Sequence, residues 1–224
     1  PERLCELVRL HSLDLGFAFD GDADRCICVD ERGEVVDGDG ILWVCAKDMH
    51  ERGELGGGGV VTTVVSNGGL ARALERSGIL CTRTQVGDKY VAEEMARRGA
   101  LLGGEPSGHI VFRKYATTGD GILTALRVAE IVLERKCPLS FLTRGYVPLP
   151  QKKRDVPVPG GAAILEREDV RAAIARAQGE DVRMVVRASG TEPVVRILAE
   201  GDEAAAEGAL RLVERAVRAA AEEL

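Results

Sequence analysis

Asp20, Asp22 and Asp24, in the run DGDADR, are three carboxylates at alternate positions behind the apolar run LDLGFAFD. Carboxylates set beside a buried segment are costly to desolvate without partners. A turn aims all three at one point, which suits a hard divalent cation. Gly21 and the small Ala23 leave the backbone free to curl. Arg25, directly after them, is explained by a second anion, such as a phosphate, held next to the metal. Two other readings use the same residues. One is a solvated turn that holds nothing. The other is an EF-hand calcium loop, with Glu31 as its closing glutamate, but Arg25 stands where that loop needs glycine and strands rather than helices flank it.

A second cluster lies in GGEPSGHI, between two apolar runs. Glu105 and Ser107 put a carboxylate and a hydroxyl on a turn shaped by Gly and Pro, a combination that suits vicinal sugar hydroxyls. His109 is able to move protons near neutral pH. An ordinary turn with a satisfied histidine is the competing reading. Upstream, VGDKY places Asp88 and Lys89 on a strand-to-helix turn, where Lys89 is either a phosphate contact, an acid or a plain surface lysine.

The third cluster is RASGTEPVVR, after the strand-like VRMVV. Arg187 can grip a phosphate with two parallel hydrogen bonds. Ser189 and Thr191 add hydroxyl donors, and Gly190 lets backbone N–H groups turn inward as an anion nest. Arg196 returns from the next strand, with Glu192 bracing an arginine. A hairpin with a structural salt bridge is the alternative.

The elements that must position these loops alternate along the chain. The run before Asp20 reads as a buried strand, and CICVDERGEVV as two strands around a turn at Arg32 and Gly33. Residues 39–49 have helical spacing at Ile41, Leu42, Cys45 and Met49. Strand-like runs VVTTVV, ILCTRTQV, ALLGG and HIVFRK then alternate with helices over 69–77, 89–98 and 119–136. This βαβ series predicts an α/β domain with a mainly parallel, mixed sheet. The glycine run 56–59 marks a first boundary. Residues 145–159, with four prolines and the basic triplet Lys152, Lys153 and Arg154, hold a second. The triplet reads as a solvated surface. The rest reads as a small α+β domain closed by a helix over 202–224. The expected divisions are residues 1–54, 55–142 and 143–224.

Composition excludes several classes. The hydrophobic fraction of 45% supports packed cores, and a formal net charge of -6 argues against wholesale nucleic-acid binding. No run approaches the roughly 18 apolar residues of a membrane span, and no signal-peptide pattern opens the chain. Six cysteines without a disulfide spacing read as buried, reduced thiols, which fits a cytoplasm. A chain opening at Pro1 in helical sequence is expected to be part of a larger protein.

The three loops, in this order and spacing, resemble the phosphohexomutase superfamily over essentially the whole chain. VVSNGGL, VGDKYV and YATTGDGILTAL resemble its phosphoglucosamine mutase branch. Pro106 departs from that branch, which usually has Gln or Asn there. The resemblance implies the end of the family's second domain, its third and its fourth. It implies Mg²⁺ on Asp20, Asp22 and Asp24, Arg25 beside a catalytic phosphoserine, and sugar hydroxyls on Glu105 and Ser107. Lys89 and His109 become acid, base or phosphate contacts. The non-reacting phosphate falls to Arg187, Ser189, Gly190, Thr191 and Arg196. The implied activity is that of an isomerase on a hexosamine phosphate, feeding cell-wall precursor synthesis. The family's serine loop, Thr-Ala-Ser-His-Asn-Pro-like, has no match in this chain, so the chain alone is expected to be inactive. A phosphomannomutase or phosphoglucomutase fragment, or a non-catalytic sugar-phosphate module, are the other expectations.

Overall fold

The computed structural model describes residues 1–223. Two compact units make up the chain, one from Pro1 to Pro148 and one from Leu149 onward. The first contains α1 (Glu2–His11), β1 (Gly16–Phe19), β2 (Cys26–Val29), β3 (Val35–Val36), α2 (Gly38–Glu51), β4 (Val60–Thr63), α3 (Gly68–Arg76), β5 (Cys81–Thr84), α4 (Asp88–Arg98), β6 (Leu102–Gly104), β7 (Ile110–Phe112), α5 (Gly121–Arg135) and α6 (Leu139–Leu142).

The strand β4 is buried at every residue and lies between β5 and β6, both parallel to it. An apolar run covered on both faces explains why its sequence shows no alternation. The antiparallel β7 completes this mixed sheet in the order β5-β4-β6-β7. A separate antiparallel sheet, β1-β2-β3, carries the carboxylate loop between its first two strands. One core joins both sheets: Cys26 and Cys28 from β2, Ile41 and Leu42 from α2, Leu70 and Leu74 from α3, Phe112 from β7, and Val128 and Ile131 from α5. The glycine run 56–59 therefore lies inside a single compact unit, with α2 packed on α3, α5 and β6.

Helix starts follow local chemistry. Asp37 caps α2 by accepting from Gly40 N–H at 3.0 Å, and Asp120 caps α5 by accepting from Leu123 N–H at 2.8 Å. Residues 143–148, expected with the C-terminal domain, pack with the first unit instead. The Trp43 indole N–H donates to Leu142 O at 3.0 Å, Gly145 lies against the indole ring, and Tyr146 packs on the same core.

The second unit holds β8 (Gln151–Pro157), α7 (Gly161–Glu166), α8 (Glu168–Ala177), β9 (Val182–Ala188), β10 (Val194–Gly201) and α9 (Glu203–Glu222). The expected last helix reached Leu224, which lies outside the described residues. Its sheet is antiparallel, β8-β10-β9. Val156, Val195 and Ile197 pack with Leu210, Val213 and Val217 of α9. The basic triplet lies on β8 itself: Lys152 pairs with Glu203 at 2.7 Å and Arg154 with Glu214 at 2.8 Å, both on α9. Four cysteines are buried and two, Cys81 and Cys137, are half-buried; all six are unpaired thiols.

Candidate active site

Ligand atoms of Asp20, Asp22 and Asp24 lie within 4.8 Å of one another. The turn that gathers them begins with Ala23 N–H donating to Asp20 O at 3.3 Å, and Ala23 takes the left-handed conformation with φ 58°. Arg25 approaches Asp20 at 3.6 Å and Asp24 at 3.8 Å, and its backbone N–H donates to Asp20 Oδ1 at 3.2 Å. Desolvation works against ionisation of the exposed Asp20, but the Arg25 amide, the Asp24 side chain and the Arg25 charge outweigh it and hold Asp20 below the usual range. Desolvation, with Asp20 and Asp22 close by, raises Asp24 instead. Asp24 Oδ1 is buried without a hydrogen-bond donor among the described residues. Three convergent carboxylates, one orphaned oxygen and mutual repulsion fit a divalent cation, which would relieve all three conditions.

The second loop is built onto the first. Cys26 N–H donates to Gly108 O at 3.0 Å, directly behind the carboxylate turn. Gly108 has φ 92°, and a Cβ there would overlap the Cys26 carbonyl oxygen. Glycine is required on both counts, conformation and space. His109 is buried, with Nε2 3.6 Å from Asp24 Oδ2. The same nitrogen accepts Gly119 N–H at 3.2 Å, which assigns the ring proton of neutral His109 to Nδ1. From the far side Gly121 N–H donates to Ala23 O at 2.9 Å. The carboxylate turn is thus fixed by the loop before β7 and by the turn before α5.

Glu105 is half-buried and Ser107 exposed in the same loop. The Glu105 amide donates to His109 O at 3.0 Å, and its carbonyl accepts Gly108 N–H at 3.0 Å. Gly38, at the start of α2, presses on that carbonyl and donates to Pro106 O at 3.1 Å. Next to Gly38, Asp39 is 1% exposed, and its Oδ2 accepts Asn67 N–H at 2.7 Å. Burial pushes its carboxyl up to about 7. Sequence reading took Asp39 only as a helix start; its burial is a long-range fact. Glu105 Oε1 also accepts Gly87 N–H at 3.0 Å. This brings the turn bearing Asp88 and Lys89 to the Glu105 loop, with both side chains exposed.

Arg187 and Arg196 are cross-strand partners on β9 and β10 of the second unit. Residues 190–193 between those strands are exposed. Ser189 Oγ accepts the amides of Thr191 at 3.5 Å and Glu192 at 3.3 Å, so these N–H groups face the serine hydroxyl. Glu192 pairs with Arg196, which also meets Asp155 at 3.5 Å. The expected arginine brace is present. The hairpin collects two guanidiniums and two hydroxyls at one end of the sheet. Signals for the residues that sequence reading missed (Gly87, Gly119 and Gly121) were the glycines inside VGDKY and TTGDG. A cleft of about 460 Å³ beside α2, lined by Trp43, Lys47, Asp48, Arg135 and Phe141, includes none of these loops.

Comparison with known proteins identifies the family. The profile described as phosphoglucomutase/phosphomannomutase, alpha/beta/alpha domain III, matches residues 37–148. The C-terminal domain profile of the same family matches 146–217, and that of domain II matches 2–33. A phosphoglucosamine mutase of Lachnospira eligens is 52% identical over 89% of this chain and 45% of its own length. That of Symbiobacterium thermophilum is 51% identical over 92% of the chain and 46% of its own. The chain thus spans about half the length of these relatives. Among solved structures, a phosphoglucomutase/phosphomannomutase family protein of Burkholderia thailandensis superposes with a TM-score of 0.79 at 25% identity, over 98% of this chain and 49% of that one. Aspergillus fumigatus N-acetylphosphoglucosamine mutase in complex with GlcNAc-6P and magnesium gives 0.78 at 25% identity, over 93% and 49%. The chain belongs to the phosphoglucomutase/phosphomannomutase family.

Proposed function

We propose that this chain is the metal-, sugar- and phosphate-binding half of a phosphoglucosamine mutase, an isomerase interconverting glucosamine 6-phosphate and glucosamine 1-phosphate. One observation carries the reading: the carboxylate loop and the Glu105 loop are a single built piece, joined through Cys26 and Gly108. The similarity to phosphoglucosamine mutases supports the choice of substrate. In this reading the phosphate-bearing serine lies outside the 224 residues, and the chain carries the end of a second domain, a third and a fourth, an order that the three family profiles support. A cytoplasmic setting fits six unpaired thiols.

The serine-bound phosphoryl group moves to the free hydroxyl of the sugar phosphate, leaving a bisphosphate and a free serine. The bisphosphate turns around, and its other phosphate returns to the serine. Asp20, Asp22 and Asp24 would hold Mg²⁺, which would supply charge neutralisation at the transferring group; the Aspergillus fumigatus enzyme, solved with magnesium, supports the choice of metal. Arg25 adds a cation beside that group. Glu105 and Ser107 hold sugar hydroxyls. Arg187, Ser189, Gly190, Thr191 and Arg196 hold the phosphate that is not reacting, so either end of the sugar can be presented. Lys89, exposed on the turn tied to Glu105, contacts phosphate or donates a proton. We read His109 as a support of the turn before α5, because its buried Nε2 accepts Gly119 N–H.

A mutase assay tests the reading on this chain alone and on a polypeptide joining it to the N-terminal half of the Symbiobacterium thermophilum relative. No turnover is expected from the chain alone, and turnover from the joined protein. Activity of the chain alone contradicts the placement of the serine, and an inactive, folded joined protein contradicts the assigned substrate.

A further inference from the structure

Glu105 has almost no backbone freedom. Its amide and carbonyl are both hydrogen-bonded within its own tight turn, and Gly38 presses on the carbonyl. What remains free is the direction of the carboxylate. Gly87 N–H takes Glu105 Oε1 at 3.0 Å. Gly87 is the N-cap residue of the 11-residue α4 and has no side chain to cap it; Asp88 Oδ1 accepts Lys89 N–H at 2.7 Å, which leaves the Gly87 amide itself to another partner. The first N–H groups of a helix need an outside acceptor, and the helix end favours a negative charge. Glu105 meets that need from another loop. Gly87 has φ 135°, open to glycine and strained for any other residue, and an added Cβ would crowd the Tyr90 ring at 3.3 Å.

We propose that Gly87 is a positioning residue: its amide pins one carboxylate oxygen of Glu105, so that the other faces the sugar hydroxyls in a fixed direction. The proposal rests on the assignment of Glu105 to the sugar. It explains why a helix that starts on a glycine lies against the Glu105 loop. It also couples Glu105 to the turn carrying Lys89, so the hydroxyl contact and the lysine are set by one backbone position.

Two readouts on the full 224-residue chain separate this inference from the functional reading. The first is amide hydrogen exchange at Gly87 without ligand. Protection is expected in the wild-type chain, an increase of at least about tenfold in exchange rate for Glu105→Ala, and protection restored in Glu105→Gln, which keeps an acceptor oxygen. The second is glucosamine 6-phosphate titration. Gly87→Ala is expected to weaken binding at least about fivefold, with the chain still folded by the Trp43 signal. Gly87 exchange equal in the wild type and Glu105→Ala overturns the latch, whatever the sugar does. If Glu105→Ala abolishes binding but Gly87→Ala binds as well as the wild type, the positioning role fails while the function stands. If neither substitution changes binding, both fail.

Discussion

The two units build their chemistry-bearing loops in opposite ways. In the first, the chemistry-bearing loops lean on one another: Cys26 holds Gly108, Gly121 holds Ala23, Gly119 holds His109, and Gly38 presses on Glu105. Nearly every clamp is a backbone amide or a missing Cβ. In the second, Arg187 and Arg196 project from paired strands, and the exposed hairpin between them braces itself through Ser189 and Glu192. Backbone clamps fix positions with little freedom, which suits a cation and sugar hydroxyls of fixed direction. Long guanidinium side chains adapt, which suits a phosphate that arrives from either end of a sugar.

Substitutions can break this contrast, and the largest effect is expected in the first core. Phe112→Ala empties a buried aromatic position shared by β7 and its neighbours, and should cost about 3–5 kcal/mol. Trp43, the single tryptophan, lies in that core and reports the transition in urea. Next, Gly38→Ala forces a methyl into the Glu105 carbonyl and should cost about 2–4 kcal/mol by the same signal. Asp24→Asn should weaken Mg²⁺ binding at least about tenfold by calorimetry, while leaving the amides of residues 189–192 unshifted in a ¹⁵N spectrum.

Asp39 sharpens the comparison through pH. Burial raises its carboxyl from 3.8 to about 7 in the folded chain. The folded state therefore keeps a proton that the unfolded chain releases. That contribution is complete below 3.8 and is lost as pH rises through about 7. Urea midpoints followed by Trp43 should fall with pH across this window, with a slope of up to about 1.4 kcal/mol per pH unit, and Asp39→Asn should flatten it. The smallest effect belongs to the hairpin: Glu192→Ala removes an exposed pair and should change stability by about 0–1 kcal/mol.

Much of this was legible in the residues. DGDADR and RASGTEPVVR are local: their side chains meet because they are sequence neighbours on a turn or a hairpin. The strand before Asp20 and the helices capped by Asp37 and Asp120 follow from patterning and capping. What stayed hidden depended on contacts between distant segments. Nothing near Gly87 announces that its amide faces Glu105, and nothing near Gly119 announces His109. The strand β8 was hidden differently. Its flanking prolines suggested a linker, yet β8 is an edge strand, where Pro157 removes no ladder bond that the sheet needs. Lys152 and Arg154 share the α9-facing side with Val156, and their pairing with Glu203 and Glu214 masked the alternation.

The most direct test of the proposed function is a titration of glucosamine 6-phosphate, with Mg²⁺ present, into the ¹⁵N-labelled chain. The account expects the amides of Ser107 and Thr191 to shift along curves that saturate at one dissociation constant. Shifts at one loop without the other, or two unrelated dissociation constants, would contradict it.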